Sequence, residues 1–308
     1  MNAPTTSAPA VTTVIVTYNS RDTIGPTLDA ARPIRDAGLA ECIVVDNISR
    51  DGTREFVRAE YPWVTLVESP GNIGYGRGCN LGLERAATRY VLFQNPDAVV
   101  DLTAMQRMVR LLDENPKAAL VGPAIIGDNG ILQHCGRLPT PWNVIADSAG
   151  IPTRDKPSHH IEPGEAPFRT DWLGGAVLMG RTELLKPIGG FDPRIFLYFD
   201  ETDLCKRVGD LGHELWACGE AVTRHVVHAS ARGTGRALYN GAIAEHFFRS
   251  RHYYLTKHHG RLAATCAELG ELAFFGARVV KKKLFGQPTE NFGLRFRCPI
   301  LRMPVFPA

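Results

Sequence analysis

The sequence predicts an α/β protein, with a mostly parallel central sheet flanked by helices and a C-terminal helical extension. Three observations carry this reading. Val11–Thr17 and residues 42–45 are continuous apolar, largely β-branched runs, the pattern of strands buried on both faces. Helix-like stretches separate such runs at the spacing of βαβ units, which feed a parallel sheet through right-handed crossovers. Polar residues stand directly after the runs, at 18–19, 46–47 and 95–97, where open parallel sheets bind their ligands.

The elements follow in order. The first strand, Val11–Thr17, delivers Tyr18 and Asn19 to its carboxyl end. A helix is expected over 23–37, then a buried strand over 42–45 ending in Asp46 and Asn47. The helix over 52–60 has Ser49, Asp51 or Thr53 to cap it. A short strand covers 64–68. The glycine-rich turn over 71–78 permits close backbone approach to a ligand. It matches G-x-G-x-x-G in no register, so it is not a dinucleotide fingerprint. A helix over 79–87 leads to a strand over 90–93, stopped by Asn95-Pro96-Asp97. A helix over 104–114 and a strand over 118–122 complete the regular part. Residues 127–170 lack periodicity and are broken by prolines, a long excursion of the kind that forms lids or binding loops. Apolar structure resumes over 172–179, and a helix rich in aromatics and bases spans 245–257. The last helix, 262–285, brings Leu262, Cys266, Leu269, Ala273 and Val280 to one side, widened by Phe274 and Phe275. Lys281, Lys282 and Lys283 close it, where cations suit the helix dipole. The expected organisation is a disordered lead-in over 1–10, a main domain over 11–260, and an amphipathic helix with a basic tail over 261–308.

Composition bounds the function class. With 308 residues, 44% apolar and 22% charged, the chain is ordinary globular material and long enough to bury a core without staples. Seven scattered cysteines, none at C-x-x-C spacing, argue against structural zinc and a disulfide scaffold, and for free thiols in a reducing compartment. No run of 18 uncharged apolar residues predicts a membrane span, and the Ala/Pro/Thr/Ser-rich start lacks a signal peptide's basic end and apolar run. A cytoplasmic protein is the expectation. The net charge of +3 comes from the end of the chain: residues 281–308 carry +5 and the rest −2, so no nucleic-acid partner is expected.

Two constellations can carry chemistry. Asn95-Pro96-Asp97 ends a buried strand, and a carboxylate there suits a hard cation such as Mg²⁺ or Mn²⁺, with substrate phosphates completing the shell. A turn with a capping aspartate is the structural alternative. The second is Asp200-Glu201-Thr202-Asp203, three carboxylates in four positions after an aromatic run. Clustered acids raise one another's pKa and supply a general base. Helix capping accounts for Asp200, and an i,i+4 pair with Arg207 accounts for Asp203, which leaves Glu201 as the carboxylate without a structural task.

Together these segments resemble the inverting family 2 glycosyltransferases of the GT-A fold, especially rhamnosyltransferase-like members. The resemblance runs from about residue 11 to about residue 257. It rests on Val14-Ile15-Val16-Thr17-Tyr18-Asn19-Ser20, Val44-Val45-Asp46-Asn47, Asn72-Ile73-Gly74-Tyr75-Gly76, Asn80, Asn95-Pro96-Asp97, Trp172-Leu173-Gly174-Gly175-Ala176 and Tyr198-Phe199-Asp200-Glu201-Thr202-Asp203-Leu204. It implies that Thr17, Tyr18, Asn19, Asp46 and Asn72 hold the base and ribose of a sugar nucleotide. Gly74, Asn80, Asn95, Asp203 and Arg232 join that donor site. Asp97 would be the metal-binding acid, with His228 a further ligand, and Asn95 stands where the general D-x-D signature has its first aspartate. Trp172, Gly174 and Gly175 would shape the sugar site. The base would lie in the Asp200/Glu201 pair, and the family's catalytic position falls on Glu201. The implied cofactor is Mg²⁺ or Mn²⁺. The implied partners are a nucleoside-diphosphate sugar and a saccharide or lipid-linked saccharide acceptor, in envelope polysaccharide synthesis.

Two other readings compete with this one. A sugar-1-phosphate nucleotidyltransferase would carry a Gly/Arg-rich loop after the first strand, where this chain has Thr17-Tyr18-Asn19-Ser20. A catalytically silent sugar-nucleotide-binding scaffold would not need acids at 97, 200, 201 and 203. The C-terminal helix has two readings: packed on the main domain, or lying on the inner face of the membrane as a peripheral contact.

Overall fold

The protein is described here by a computed structural model that covers residues 8–127, 130, 134–151, 159–225 and 243–287. Most of the expected lead-in and the basic tail beyond 287 lie outside the described residues. The first half of the chain runs β1 (Val11–Thr17), α1 (Ile24–Asp36), β2 (Ala40–Asp46), α2 (Thr53–Glu60), β3 (Thr65–Glu68), α3 (Tyr75–Arg85), β4 (Tyr90–Gln94), β5 (Ala98–Val99), α4 (Leu102–Glu114) and β6 (Ala118–Gly127). The second half runs β7 (His134–Gly136), α5 (Pro141–Ala149), β8 (His159–His160), β9 (Phe168–Thr170), β10 (Trp172–Leu173), β11 (Val177–Arg181), α6 (Thr182–Leu185), α7 (Asp200–Asp210), β12 (Glu214–His225), α8 (Ile243–His259) and α9 (Arg261–Leu284).

The main sheet has the order β3-β2-β1-β4-β11-β6-β12-β5, with β9 also paired to β12. Strands β1 to β4 are mutually parallel, and β1 and β2 are buried along nearly their whole length, as their apolar runs require. The expected α/β architecture is present, and the sheet is mixed. β11 runs antiparallel to both β4 and β6. Its direction follows from its entry: residues 174–176 lie at the carboxyl end of β4, where Asn95 N–H donates to Ala176 C=O at 2.8 Å. A chain that starts at that edge can only run back along β4, since a parallel pairing needs a crossover of a dozen or more residues. The 127–170 excursion is partly regular, with α5 and a small sheet of β10, β7 and β8.

The glycine-rich segment has a different use from the one its composition suggests. α3 begins at Tyr75, so Gly76 and Gly78 are already helical. A Cβ on Gly78 would lie 2.7 Å from Val16, and one on Gly82 2.3 Å from Val14. These glycines let the helix sit directly on β1, so close approach to the sheet is one use of them. Gly74 alone needs the left-handed region, at φ 88, and its missing Cβ makes room for the Phe196 carbonyl.

The C-terminal helices pack on the domain through α5. Val144, Tyr254, Leu255, Ala264 and Ala267 form one buried cluster, with Phe199 against it. α9 buries Ala264, Ala267, Glu268, Glu271 and Phe275. Burial of the glutamates is offset by Arg251, which donates to Glu268 at 2.9 Å and to Glu271 at 3.0 Å. The stripe of Leu262, Cys266, Leu269, Ala273 and Val280 is therefore turned outward. Among the described residues no helix is long and apolar enough to cross a membrane.

Candidate active site

The site is assembled along the carboxyl edge of β1, β2 and β4. Thr17 and Asp46 are register partners at the ends of β1 and β2, and Thr17 Oγ1 donates to Asp46 Oδ2 at 2.9 Å. Asp46 is buried and also accepts from Ser49 N–H at 2.8 Å and Ser49 Oγ at 2.5 Å, with Arg54 Nε 3.7 Å away. Three hydrogen bonds and a cation compensate a carboxylate taken out of water. Asn19 and Ile48 both hold left-handed backbone, φ 52 and 58. Asn19 locks the two strand ends together: its N–H donates to Ser49 Oγ at 2.9 Å, and its Oδ1 accepts from Arg50 N–H at 2.9 Å. A β-branched residue at positive φ is costly and persists only where its surroundings over-determine it. Tyr18 and Asn72 project from this edge and are exposed, and Asn72 Oδ1 accepts from Gly74 N–H at 3.3 Å. Asn47 is buried, donates to Gly74 C=O at 3.1 Å, and keeps Oδ1 without a partner.

The turn after β4 is pinned from below. Thr27 Oγ1 donates to the carbonyls of Pro96 and Ala98, at 2.9 and 3.0 Å. This presents Asp97 beside His225, the last residue of β12, with Nε2 and Oδ1 2.9 Å apart; Asn95 Nδ2 lies 3.5 Å from the same nitrogen. His225 was not among the residues singled out in the sequence. His228 was, and it lies outside the described residues, as does Arg232. The signal that could have found His225 is its position at the end of an apolar alternation, directly on the strand rather than after it.

The acidic segment is delivered by a strained turn. Tyr198 and Phe199 are consecutive left-handed residues, φ 63 and 64, immediately before α7. Asp200 does not cap the helix: it is 3% exposed, and its Oδ2 has no hydrogen-bond partner. Burial, reinforced by the Glu201 charge, raises its pKa well above the usual carboxylate range. Glu201 is half-buried against residue 175, where a Cβ would come within 3.2 Å of it. A relay orients it: Trp172 Nε1 donates to Thr202 Oγ1 at 3.0 Å, and Thr202 Oγ1 donates to Glu201 Oε1 at 3.0 Å. Tyr75 OH donates to Gly175 C=O at 3.1 Å and fixes the loop from the α3 side. The two constellations thus meet through residues 174–176, hydrogen-bonded to Asn95 at one end and packed on Glu201 at the other.

Two residues expected in the donor site make scaffolding hydrogen bonds. Asn80 clamps the backbone of Phe191, accepting from its N–H and donating to its C=O, both at 2.8 Å. Its polar atoms are used up in holding the 190–191 turn. Asp203 is fully buried and accepts from Lys257 at 2.6 Å, Arg207 at 2.7 Å and His258 at 2.8 Å. Burial alone would raise its pKa; the His258 and Lys257 hydrogen bonds and the Arg207 charge outweigh it and hold the pKa below the usual range. Lys257 also bonds Asp192 at 2.8 Å, so Asp203 anchors the first turn of α7 to α8. The i,i+4 pair with Arg207 is present as the spacing suggests.

Comparison with known proteins agrees with this geometry. The pattern described as Glycosyl transferase family 2 matches residues 12–174. The chain is 26% identical over 278 residues to the N-acetylglucosaminyl-diphospho-decaprenol L-rhamnosyltransferase of Mycobacterium tuberculosis, covering 80% of this chain and 84% of that protein. It is 26% identical over 199 residues to the low-salt glycan biosynthesis hexosyltransferase Agl10 of Haloferax volcanii, covering 63% of this chain and 60% of that one. Among solved structures, the fold is similar to mannosyltransferase PcManGT of Pyrobaculum calidifontis, in complex with GDP-Man and Mn²⁺ (TM-score 0.55, 20% identity, 88% of this chain and 75% of that one). It is also similar to S. aureus TarS 1-349 in complex with UDP-GlcNAc (TM-score 0.57, 17% identity, 92% and 75%). With the family pattern spanning over half the chain, from β1 to the loop that carries Gly174, this protein is a family 2 glycosyltransferase with a GT-A fold.

Proposed function

We propose that the chain transfers a sugar, rhamnose first among candidates, from a nucleoside diphosphate to a hydroxyl of a lipid-linked saccharide, with inversion at the anomeric carbon. The reaction would serve envelope polysaccharide synthesis at the cytoplasmic face of the membrane. One observation carries the reading: the Asn95-Pro96-Asp97 turn, through the Asn95 N–H, and Glu201 both contact the same three-residue loop, 174–176, at the carboxyl edge of the sheet. Rhamnose and the lipid-linked acceptor are supported by the name of the mycobacterial relative. A nucleoside-diphosphate sugar as donor is supported by the GDP-Man and UDP-GlcNAc complexes of the structural neighbours.

Thr17, Asp46, Tyr18, Asn19 and Asn72 would receive the base and ribose. Trp172, Gly174 and Gly175 border the sugar. Asp97 and His225, whose facing atoms are 2.9 Å apart, would be two of the ligands of a divalent cation; among the described residues no group of three such side chains stands ready to hold one. Mg²⁺ or Mn²⁺ bound there would neutralise charge growing on the leaving diphosphate. Glu201 would take the proton of the acceptor hydroxyl. Burial and the Glu201 charge raise the pKa of its neighbour Asp200, and the Trp172–Thr202 relay holds the accepting carboxylate in one orientation.

The test is a screen of sugar nucleotides with Mn²⁺, Mg²⁺ or chelator, scoring nucleoside-diphosphate release in the presence of a lipid-linked acceptor. Glu201→Gln should lower kcat by about 10²–10⁴-fold with donor affinity unchanged. Near-normal turnover in that variant would remove Glu201 from the base role.

A further inference from the structure

Helix α9 exposes a continuous apolar face. Leu262, Cys266, Leu269, Ala273, Val280 and Leu284 are all exposed, at spacings that keep them on one side of the helix for about 33 Å. Half of the large apolar side chains exposed among the described residues lie on α9 or on its C-cap, Phe285. Leu262 and Val280 are 80% and 58% exposed. α5 runs alongside, with Ile145 against Gly270 and Gly150 against Arg278, and adds exposed Trp142 and Ile151 at its two ends.

The charges say what covers this face. α9 has two acidic residues, Glu268 and Glu271, and both are buried against Arg251 on the opposite side. The exposed surface of α9 is therefore apolar and basic only, with Arg261 at one end and Lys281 and Lys283 at the other. A second copy of the chain does not suit it. Parallel pairing would bring the lysine-bearing ends together, and antiparallel pairing would set Arg261 against them. An anionic lipid surface suits both properties at once, taking the apolar stripe among its acyl chains and the bases among its headgroups.

We infer that the α5–α9 face is a peripheral membrane surface, in which α9 lies in the plane of an anionic leaflet. This deepens the proposed function, since it brings the site to a lipid-borne acceptor, and it rests on that reading only for its purpose. The test is sedimentation of the full chain with vesicles of about 30% phosphatidylglycerol in phosphatidylcholine, against phosphatidylcholine alone, at low and high salt. The full chain should partition to the anionic vesicles at least tenfold more strongly, in a salt-sensitive way. Leu269→Glu with Val280→Glu should lose about tenfold or more of that binding while keeping its thermal unfolding and its donor turnover on a soluble acceptor. Lys281→Gln with Lys283→Gln should remove most of the salt sensitivity. Equal partitioning of the wild type and the glutamate variant would overturn the inference. So would a lipid-independent dimer that the glutamate variant dissolves. Donor turnover without lipid binding would reject the membrane face alone, and lipid binding without turnover would reject the reaction alone.

Discussion

Asp203→Asn isolates the role of the charge buried beneath the site. Asp203 is fully buried and accepts from Lys257, Arg207 and His258, at 2.6, 2.7 and 2.8 Å. Asparagine keeps the volume and one acceptor, but turns an amide N–H₂ toward one of these donors and leaves the positive charges uncompensated. Lys257 retains Asp192, whereas Arg207 keeps only the carbonyls of Ile188 and Gly190. Breaking a buried pair by removing one partner costs about 3–5 kcal/mol. For a chain of this size that lowers Tm by roughly 6–15 °C. The pH dependence has a definite sign. Because the folded state holds the Asp203 pKa below its unfolded value, its contribution is complete above the unfolded value and lost as pH falls through the folded one. The variant has no such carboxylate to protonate. The gap in stability should therefore be constant from neutral pH down to about 5 and close below about 4. Urea unfolding of both proteins across this range checks it. A loss under about 1 kcal/mol at neutral pH, or a gap that persists unchanged in acid, would refute the account of Asp203 as an ionised anchor between α7 and α8.

Two further outcomes follow from the same geometry. Gly82→Ala drives a Cβ to within 2.3 Å of Val14 and should cost about 1–3 kcal/mol in urea unfolding, although alanine is the better helix former; a neutral or stabilising result would show that α3 can lift off β1 freely. His225→Gln should raise the Mn²⁺ concentration needed for half-maximal nucleoside-diphosphate release by about tenfold or more, and weaken Mn²⁺ binding in calorimetry by a similar factor; an unchanged titration would leave Asp97 without help from β12.

Much of the fold was legible because local pattern and tertiary role coincide in it. The runs at 11–17 and 42–45 are almost wholly β-branched and buried because both faces of these strands are covered. The clustering of the polar residues after them was legible for the same reason: Thr17, Asp46 and Asp97 stand at or just after the ends of parallel strands, and these strands end on one edge. The direction of β11 was not legible. It depends on where residues 174–176 dock, and that is settled by a hydrogen bond to a residue some eighty positions earlier. Likewise the residue types of Asn80 and Asp203 suit a donor site, and only the neighbours that α7, α8 and the 190–191 turn bring to them reveal their scaffolding hydrogen bonds.

The sequence by itself determined which residues are strand, helix and strand-end acid, and the family they resemble, because these depend on periodicity and on residue type at short range. Only the tertiary structure decided between Asp200 and Glu201 in environment, burying one and exposing the other to the loop at 174–176. It also brought His225 to Asp97 and turned the apolar stripe of α9 outward. The physical reason is common to all three. Which side of an element faces the core is set by what packs against it, here Arg251 meeting Glu268 and Glu271, and such partners are distant in the chain and carry no signal at the spacing of a single helix or strand.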